Sequence, residues 1–226
     1  MCMLLIGQRV HPAYKLILAA NRDEDLRRPT EEAHWWNSGP RILAGRDVSA
    51  GGTWLGVNKG GRIAALTNYW GEMETRSDAP SRGGLVAGFL RSDLSAAEYV
   101  RRLEQLGQGH QGSTGRPDGR SRYNGFNLIM GDADELWYYT NAENVNTPDP
   151  AHQQLAVGEV QRLSPGVHVI SNAVLDTPWP KAERAARMLK DLIQSDRLTP
   201  HTLMELLNTA EDAGRQHDPA LPREAA

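Results

Sequence analysis

The residue with the clearest chemical potential is Cys2, the only cysteine in the 226-residue chain. Initiator methionine is usually removed when the second residue is small, and its removal would leave a thiol and a free α-amine on one residue. Because an α-amine titrates near pH 8, it can act as the base for its own thiol. The alternative is that Cys2 is a small apolar residue at the start of a buried strand.

Four polar residues, Asn21-Arg22-Asp23-Glu24, follow the second predicted strand and should lie beside the first strand and the chain start. The guanidinium of Arg22 would lower the pKa of a neighbouring thiol, and the Asp23 carboxylate would hold the α-amine or orient the arginine. The alternative is a solvated turn. Because Arg22 and Asp23 are adjacent, a regular strand would point them to opposite faces, and a bulge would be needed to bring both to one site.

Two asparagines at the ends of predicted strands are candidate hydrogen-bond donors. Asn68 follows the strand at 62–67, and Asn172 follows the strand core at 167–171. Their side-chain amides can flank the negative charge that develops on a carbonyl oxygen under attack. Asparagine also ends strands because it tolerates turns, so each residue by itself is ambiguous.

Short apolar runs separated by turn residues predict the strands that position these side chains. The turn at His11-Pro12 predicts one hairpin, and Asn58-Lys59-Gly60-Gly61 predicts the turn of another. The predicted strands lie at 3–6, 15–20, 41–44, 53–57, 62–67, 126–130, 135–140, 154–157 and 167–171.

Helical patterns follow each group of strands. Ser81 is the predicted cap of a helix that ends at Arg91, and Ser95 with Glu98 forms a capping box for the next helix. Two later helices are predicted at 180–194 and 200–210. The order strands, helices, strands, helices predicts an α+β fold in which two sheets pack face to face with helices outside, a four-layer α/β/β/α sandwich.

Length and composition fit one domain with a real core, since 39% of the 226 residues are hydrophobic. We interpret 1–210 as this single domain. The segment 107–122, rich in Gly, Gln, Ser and Arg, is interpreted as an exposed loop within it. The polar segment 211–226 is interpreted as a frayed tail.

Charge and hydropathy exclude several classes of partner. The 25 Lys and Arg against 28 Asp and Glu provide no basic surface for nucleic acid. No apolar run approaches the roughly 20 residues that cross a bilayer, and no secretory signal pattern is present, so we expect a cytoplasmic protein without a membrane span. The seven histidines show no metal-ligand spacing, so neither a metal nor another cofactor is expected. Homo-oligomerisation is left open.

Cys2 together with the Asn-Arg-Asp-Glu motif resembles the NRDE family of transport and Golgi organisation 2-like proteins. The resemblance extends from residue 2 to about residue 180, and its motifs are specific in combination. The further matching segments are GGTWLGVN at 51–58, LTN at 66–68, YNGFNL at 123–128 and ISN at 170–172.

More distantly, the pattern is similar to the choloylglycine hydrolase and penicillin V acylase group of cysteine N-terminal nucleophile (Ntn) hydrolases. That resemblance implies an Ntn-type fold in which Cys2 is both nucleophile and base. It also implies that Arg22 and Asp23 position Cys2, while Asn68 and Asn172 line the oxyanion site. In the acylases two residues separate the Arg from the Asp, whereas Arg22 and Asp23 are adjacent. Nothing from residue 211 onward resembles the closing strands of these groups, which carry another active-site arginine.

Two functions follow as expectations. The first is hydrolysis of a non-peptide amide bond in a small molecule, through a thioester on Cys2. The second is a non-catalytic binding or trafficking protein for a hydrophobic ligand, with haem and lipids or acyl-CoA as candidates. A haem protein would need an axial ligand, yet the chain has no Cys-Pro or Cys-x-x-Cys-His motif. Retention of Met1 would favour binding, because it would block the α-amine.

Overall fold

The computed structural model describes residues 2–37, 39–70, 76–108, 123–142 and 160–214. Within these ranges the chain forms ten strands and four helices. The strands are β1 Met3–Gln8, β2 Leu16–Asn21, β3 Thr30–Trp35, β4 Ile42–Asp47, β5 Leu55–Asn58, β6 Ile63–Asn68, β7 Phe126–Gly131, β8 Leu136–Thr140, β9 Gln161–Arg162 and β10 Gly166–Ile170. The helices are α1 Gly83–Arg91, α2 Ala96–Gln108, α3 Pro180–Gln194 and α4 Pro200–Gly214.

The strands form two antiparallel sheets. One has three strands in the order β10-β1-β2, and the other has seven in the order β3 to β9. In the small sheet Leu5 of β1 pairs with Ala19 of β2 on one side and with Val169 of β10 on the other. The sheets therefore do not coincide with the two groups of strands along the chain, because β10, from the later group, pairs with β1.

Three apolar clusters define the layers. Side chains that alternate along β1 point to opposite faces. Leu5 packs against Leu189 of α3 in the cluster beneath α3 and α4, whereas Ile6 packs against Ile129 between the two sheets. A third cluster, which includes Phe89 of α1, lies between the seven-stranded sheet and the helices α1 and α2. This arrangement confirms the predicted four-layer α/β/β/α sandwich.

Local signals in the sequence were accurate at the turns and at one cap. The hairpin of β5 and β6 closes through a hydrogen bond of 3.1 Å from the Gly61 nitrogen to the Asn58 carbonyl, with Gly61 in a left-handed conformation (φ 86°). The predicted capping box also forms. The nitrogen of Ser95 lies 2.9 Å from the Glu98 carboxylate, and the Glu98 nitrogen lies 3.3 Å from the Ser95 hydroxyl.

Several elements differ from the prediction. β3 and β9 were not predicted. All residues of both strands are exposed and most are polar, and β9 has only two residues, so no apolar periodicity marks either strand. The predicted strand at 154–157 and most of the predicted loop lie outside the described residues. α2 includes residues 107–108, and α4 extends to Gly214, beyond the predicted domain end at residue 210. Among the described helices, none has the length and apolar character needed to span a membrane.

Candidate functional site

Cys2 lies directly before β1, the central strand of the three-stranded sheet, and is half-buried. Its sulfur is 3.9 Å from the main-chain carbonyl oxygen of Asp23, which follows β2. The Ser171 hydroxyl, at the end of β10, donates to the Cys2 carbonyl at 3.2 Å. The next residue, Met3, donates its main-chain N–H to the Asn21 side chain at 2.7 Å. Cys2 is therefore held between the ends of both neighbouring strands.

Opposing influences act on the Cys2 thiol. Burial raises its pKa, and the positive charges of Arg22 and Arg82 act in the opposite direction, while Glu24 raises it further. The net pKa lies above the ordinary value of a cysteine. Because the thiolate is the nucleophilic form, Cys2 needs a base before it can react at neutral pH.

Arg22 is placed beside Cys2 but is also held by carboxylates. Its guanidinium lies 3.1 Å from Glu24 and 3.5 Å from Asp47, and it covers the ring of Trp54 at 4.4 Å from the centroid. β2 ends at Asn21, so Arg22 and Asp23 follow the strand and the alternation of strand side chains does not apply to them. Whether the Asp23 carboxylate reaches the same site as Arg22 therefore stays a prediction.

Asn172 is buried, with 1% of its surface exposed, and adopts a left-handed conformation (φ 59°) that asparagine tolerates. Its side-chain nitrogen donates to the Asn68 main-chain carbonyl at 3.0 Å, and its own carbonyl accepts from the Trp70 nitrogen at 2.7 Å. Its side-chain oxygen has no hydrogen-bond partner within the described part of the chain. Buried acceptors are rarely left unpaired, so this atom is a candidate contact for a ligand.

Asn68 ends β6, in the seven-stranded sheet, and is half-buried. Its main-chain carbonyl is used by Asn172. Asn58, ten residues earlier, is structural: its amide nitrogen donates to the Leu90 carbonyl at 2.8 Å, and its amide oxygen accepts from the Arg62 nitrogen at 3.0 Å. The structure thus brings Asn68 and Asn172 together and places Asn58 elsewhere.

A buried polar network supports the loop after β10. The Tyr138 hydroxyl donates to the Asn127 side-chain oxygen at 2.6 Å, and the Asn127 nitrogen donates to the Thr67 hydroxyl and the Ala173 carbonyl at 3.1 and 2.8 Å. Burial raises the pKa of Tyr138, so its hydroxyl remains a donor. Satisfied networks of this kind fix geometry in a core. Asn127 lies in the NGFN motif, yet the sequence analysis assigned it no role.

Arg82 is a site residue that the sequence analysis missed. Ser81 was expected to cap α1, but Arg82 occupies the cap position and no side chain caps the helix. The half-buried Arg82 side chain donates to the Gly125 carbonyl at 2.7 Å, and its charge acts on the Cys2 thiol. The available signal was the Gly83-Gly84 pair that follows, since paired glycines permit a close approach of the main chain.

Trp70, two residues beyond Asn68, lies at the surface, with 41% of its area exposed. Its main-chain nitrogen donates to the Asn172 carbonyl, which places Trp70 beside the strand ends. Within the described residues, no group of three or more His, Cys, Asp or Glu side chains is arranged to hold a metal ion.

Comparisons with known proteins identify the family of this chain. The model of the family described as "Transport and Golgi organisation 2" matches residues 1–226. The Transport and Golgi organization 2 homolog of Mus musculus is 35% identical over 222 residues, covering 92% of this chain and 70% of that protein. The Homo sapiens homolog shows the same identity and coverage.

Among solved structures, the Caenorhabditis elegans N-acylethanolamine-hydrolyzing acid amidase ortholog superposes with a TM-score of 0.58. The match covers 98% of this chain and 88% of that protein, and at 12% identity it indicates the fold alone. The chain therefore shares its overall fold with this amidase ortholog. By sequence, the chain belongs to the transport and Golgi organisation 2 family.

Proposed function

We propose that this protein hydrolyses a non-peptide amide bond of a small molecule, with Cys2 as the nucleophile. The observation that carries the proposal is the position of Cys2 at the strand ends: its sulfur lies 3.9 Å from the Asp23 carbonyl, and Ser171, which contacts the Cys2 carbonyl, directly precedes Asn172, which bonds to Asn68 of the other sheet. The structural neighbour with the same fold is described as hydrolysing N-acylethanolamines, which are amides. That likeness makes an amide the first substrate class to test.

The base for the reaction is the α-amine that removal of Met1 would expose on Cys2. Burial raises the pKa of the thiol, so little thiolate forms without a base close to the sulfur. A free α-amine with a pKa near 8 is of the right strength to take this proton. Arg22 stabilises the resulting thiolate, and Asp23 is proposed to orient the α-amine.

The reaction proceeds in two steps. The Cys2 thiolate attacks the amide carbonyl carbon, a C–S bond forms, and the electron pair of the C=O π bond moves to oxygen. Collapse of this intermediate breaks the C–N bond, and the α-ammonium group returns its proton to the departing amine. Water then attacks the thioester, which releases a carboxylic acid and regenerates the thiol.

The amides of Asn68 and Asn172 are proposed to stabilise the oxyanion. One N–H of Asn172 is used by the Asn68 carbonyl, and the second remains for the substrate oxygen. The unpaired side-chain oxygen of Asn172 would accept a hydrogen bond from the α-amine or from the amide N–H of a substrate. Pairing this buried acceptor is worth about 1–3 kcal/mol.

The proposal is tested with a panel of N-acyl amides and three proteins: wild type, Cys2→Ala, and a chain with one Gly inserted between Met1 and Cys2. The inserted residue keeps the thiol but moves the free amine away from Cys2. We expect no turnover by Cys2→Ala and at least a hundredfold loss in the extended chain. Full activity of Cys2→Ala on every cleaved amide would show that another group is the nucleophile.

A binding or trafficking role is the second candidate. It is favoured by the raised pKa of Cys2 and by the engagement of the Asn172 amide with Asn68, since both reduce readiness for attack. The exposed ring of Trp70 provides an apolar contact beside the same strand ends. Binding of long-chain acyl amides that quenches tryptophan fluorescence, with no product and no change in Cys2→Ala, would favour this role. A haem titration with no Soret shift would remove haem from the candidate ligands.

A further inference from the structure

Arg82 precedes α1 and reaches the site from the layer opposite the three-stranded sheet. Its position is fixed by a close contact between two glycines. A Cβ atom on Gly52 would lie 2.5 Å from the main-chain carbon of Gly83, and the Thr53 nitrogen donates to the Gly83 carbonyl at 3.2 Å. The start of α1 is therefore held against the segment before β5, which fixes the position of the Arg82 main chain.

The Arg82 guanidinium is part of a hydrogen-bond network at the strand ends. It donates to the Gly125 carbonyl at 2.7 Å, and that carbonyl also accepts from the Tyr69 nitrogen at 3.0 Å. The following residue, Trp70, is bonded to Asn172. Arg82 is thus tied to the same junction as the candidate oxyanion donors.

Two carboxylates near the site pair with other cations. Glu24 pairs with Arg22 at 3.1 Å, and Asp47 pairs with Arg28 at 2.7 Å. Arg82 makes no ion pair with a carboxylate of the described residues, although Glu24 acts on it at longer range. A guanidinium has five N–H donors, and the Gly125 carbonyl engages one nitrogen.

We propose that Arg82 determines specificity by binding a carboxylate of the substrate, so that the preferred amides are anionic. This proposal rests on the proposed function, because it assigns the substrate class of the same site. A guanidinium matches the two oxygens of a carboxylate through parallel N–H groups. Arg22 is engaged by Glu24 and Asp47, whereas Arg82 pairs with no carboxylate in the part of the chain that the structure describes. Arg82 therefore offers one positive charge, which suits a singly charged carboxylate better than a doubly charged phosphate.

The test compares two alkylating reagents of similar size, iodoacetate, which carries a carboxylate, and neutral iodoacetamide. Both react with thiolate sulfur, and Cys2 is the only cysteine, so the label identifies its site. A change in the thiol pKa alters both rates equally. The ratio of the iodoacetate rate to the iodoacetamide rate therefore reports the binding of a carboxylate next to Cys2.

We expect this ratio to fall about fivefold in Arg82→Gln, which corresponds to the loss of one solvent-accessible ion pair with the carboxylate of the reagent. The control is Arg91→Gln, which removes the same charge from the other end of α1, where Arg91 contacts Trp36. Its ratio should equal that of the wild type. If Arg82→Gln does not fold, the wild-type ratio is measured at low and high salt, where screening should lower it.

Equal ratios in the wild type and Arg82→Gln, or a wild-type ratio that does not change with salt, would overturn the assignment. Alkylation requires no turnover, so this result is independent of catalysis. A protein that passes the alkylation test but forms no thioester with any acyl donor retains the carboxylate site and loses the proposed hydrolase function.

Discussion

The side-chain nitrogen of Asn172 donates a hydrogen bond to the main-chain carbonyl of Asn68, with 3.0 Å between the two atoms. Asn172 follows β10 in the three-stranded sheet, and Asn68 ends β6 in the seven-stranded sheet. This hydrogen bond joins the two sheets one residue beyond Ser171, which contacts the Cys2 carbonyl. The contact serves structure and the candidate chemistry together, and substitutions can separate the two contributions.

Asn172→Gly and Asn172→Ala remove the same side-chain contact but differ in the main chain. Glycine adopts the left-handed conformation of residue 172 without strain, whereas alanine does not. We expect Asn172→Ala to have a free energy of unfolding about 1 kcal/mol lower than that of Asn172→Gly. Urea denaturation of both variants measures the difference. Equal stabilities would contradict the strained geometry.

Asn68→Ala should affect turnover far more than stability. Loss of one oxyanion donor typically costs about 3 kcal/mol in the barrier, so we expect kcat to fall roughly a hundredfold. The matched control is Asn58→Ala, which loses two structural hydrogen bonds and should reduce the free energy of unfolding by about 2 kcal/mol while folded protein retains its kcat. A large loss of kcat in Asn58→Ala, together with a loss of stability but not of kcat in Asn68→Ala, would contradict the assignment of Asn68 as the catalytic donor and Asn58 as the structural residue.

Gly52→Ala should destabilise the protein by about 1–3 kcal/mol, because the added methyl group overlaps the main chain of Gly83. Gly84→Ala is the control within α1. A Cβ at Gly84 meets nothing within 4 Å, and alanine favours the helix over glycine by about 1 kcal/mol, so this variant should be more stable than the wild type. Thermal unfolding compares them. A neutral Gly52→Ala would remove the packing that positions Arg82.

His168 should make stability depend on pH. Its two ring nitrogens lie 2.7 Å from the Asp176 carboxylate and 2.9 Å from the Ser164 carbonyl, and both partners accept hydrogen bonds, so the doubly protonated ring satisfies both. Burial opposes this charge, but the hydrogen bonds to Asp176 and Ser164 outweigh it and raise the pKa of His168.

A raised folded-state pKa stabilises the folded protein fully below the unfolded-state value, about 6.5, and the stabilisation is lost as pH rises through the folded-state pKa. We therefore expect the difference in the free energy of unfolding between the wild type and His168→Gln to shrink from pH 6 to pH 9. Urea denaturation across this range measures it. A difference that is constant or grows with pH would mean that the neutral ring is the bound form.

The sequence predicted best what depends on neighbouring residues. The continuous apolar run in β1 predicted a strand buried on both faces, and Ser95 with Glu98 predicted a helix start, because both signals are local. The family resemblance predicted that Cys2, Asn68 and Asn172 belong to one site. It could not show that Asn172 already donates to Asn68, because that contact depends on residues 104 positions apart.

The features that escaped prediction arise from contacts between distant segments. β3 is an edge strand with six exposed residues, held by main-chain pairing with β4, so its side chains carry no apolar pattern. In the sequence, Arg82 has the pattern of a solvated residue before a helix. Its role depends on the contact of Gly52 with Gly83 and on its hydrogen bond to Gly125, which only the structure shows. Neither the pairing of β3 with β4 nor the contacts of Arg82 produce a regular residue spacing in the sequence from which they could be predicted.

The most direct test of the account is intact mass spectrometry of the Met1-processed protein during reaction with an activated acyl ester. We expect a transient mass increase of one acyl group, mapped by peptide sequencing to Cys2 and absent from Cys2→Ala. The adduct should disappear as the acid is released. Hydrolysis of the ester by wild type with no acyl group on Cys2, or at the same rate by Cys2→Ala, would contradict the assignment of Cys2 as the nucleophile.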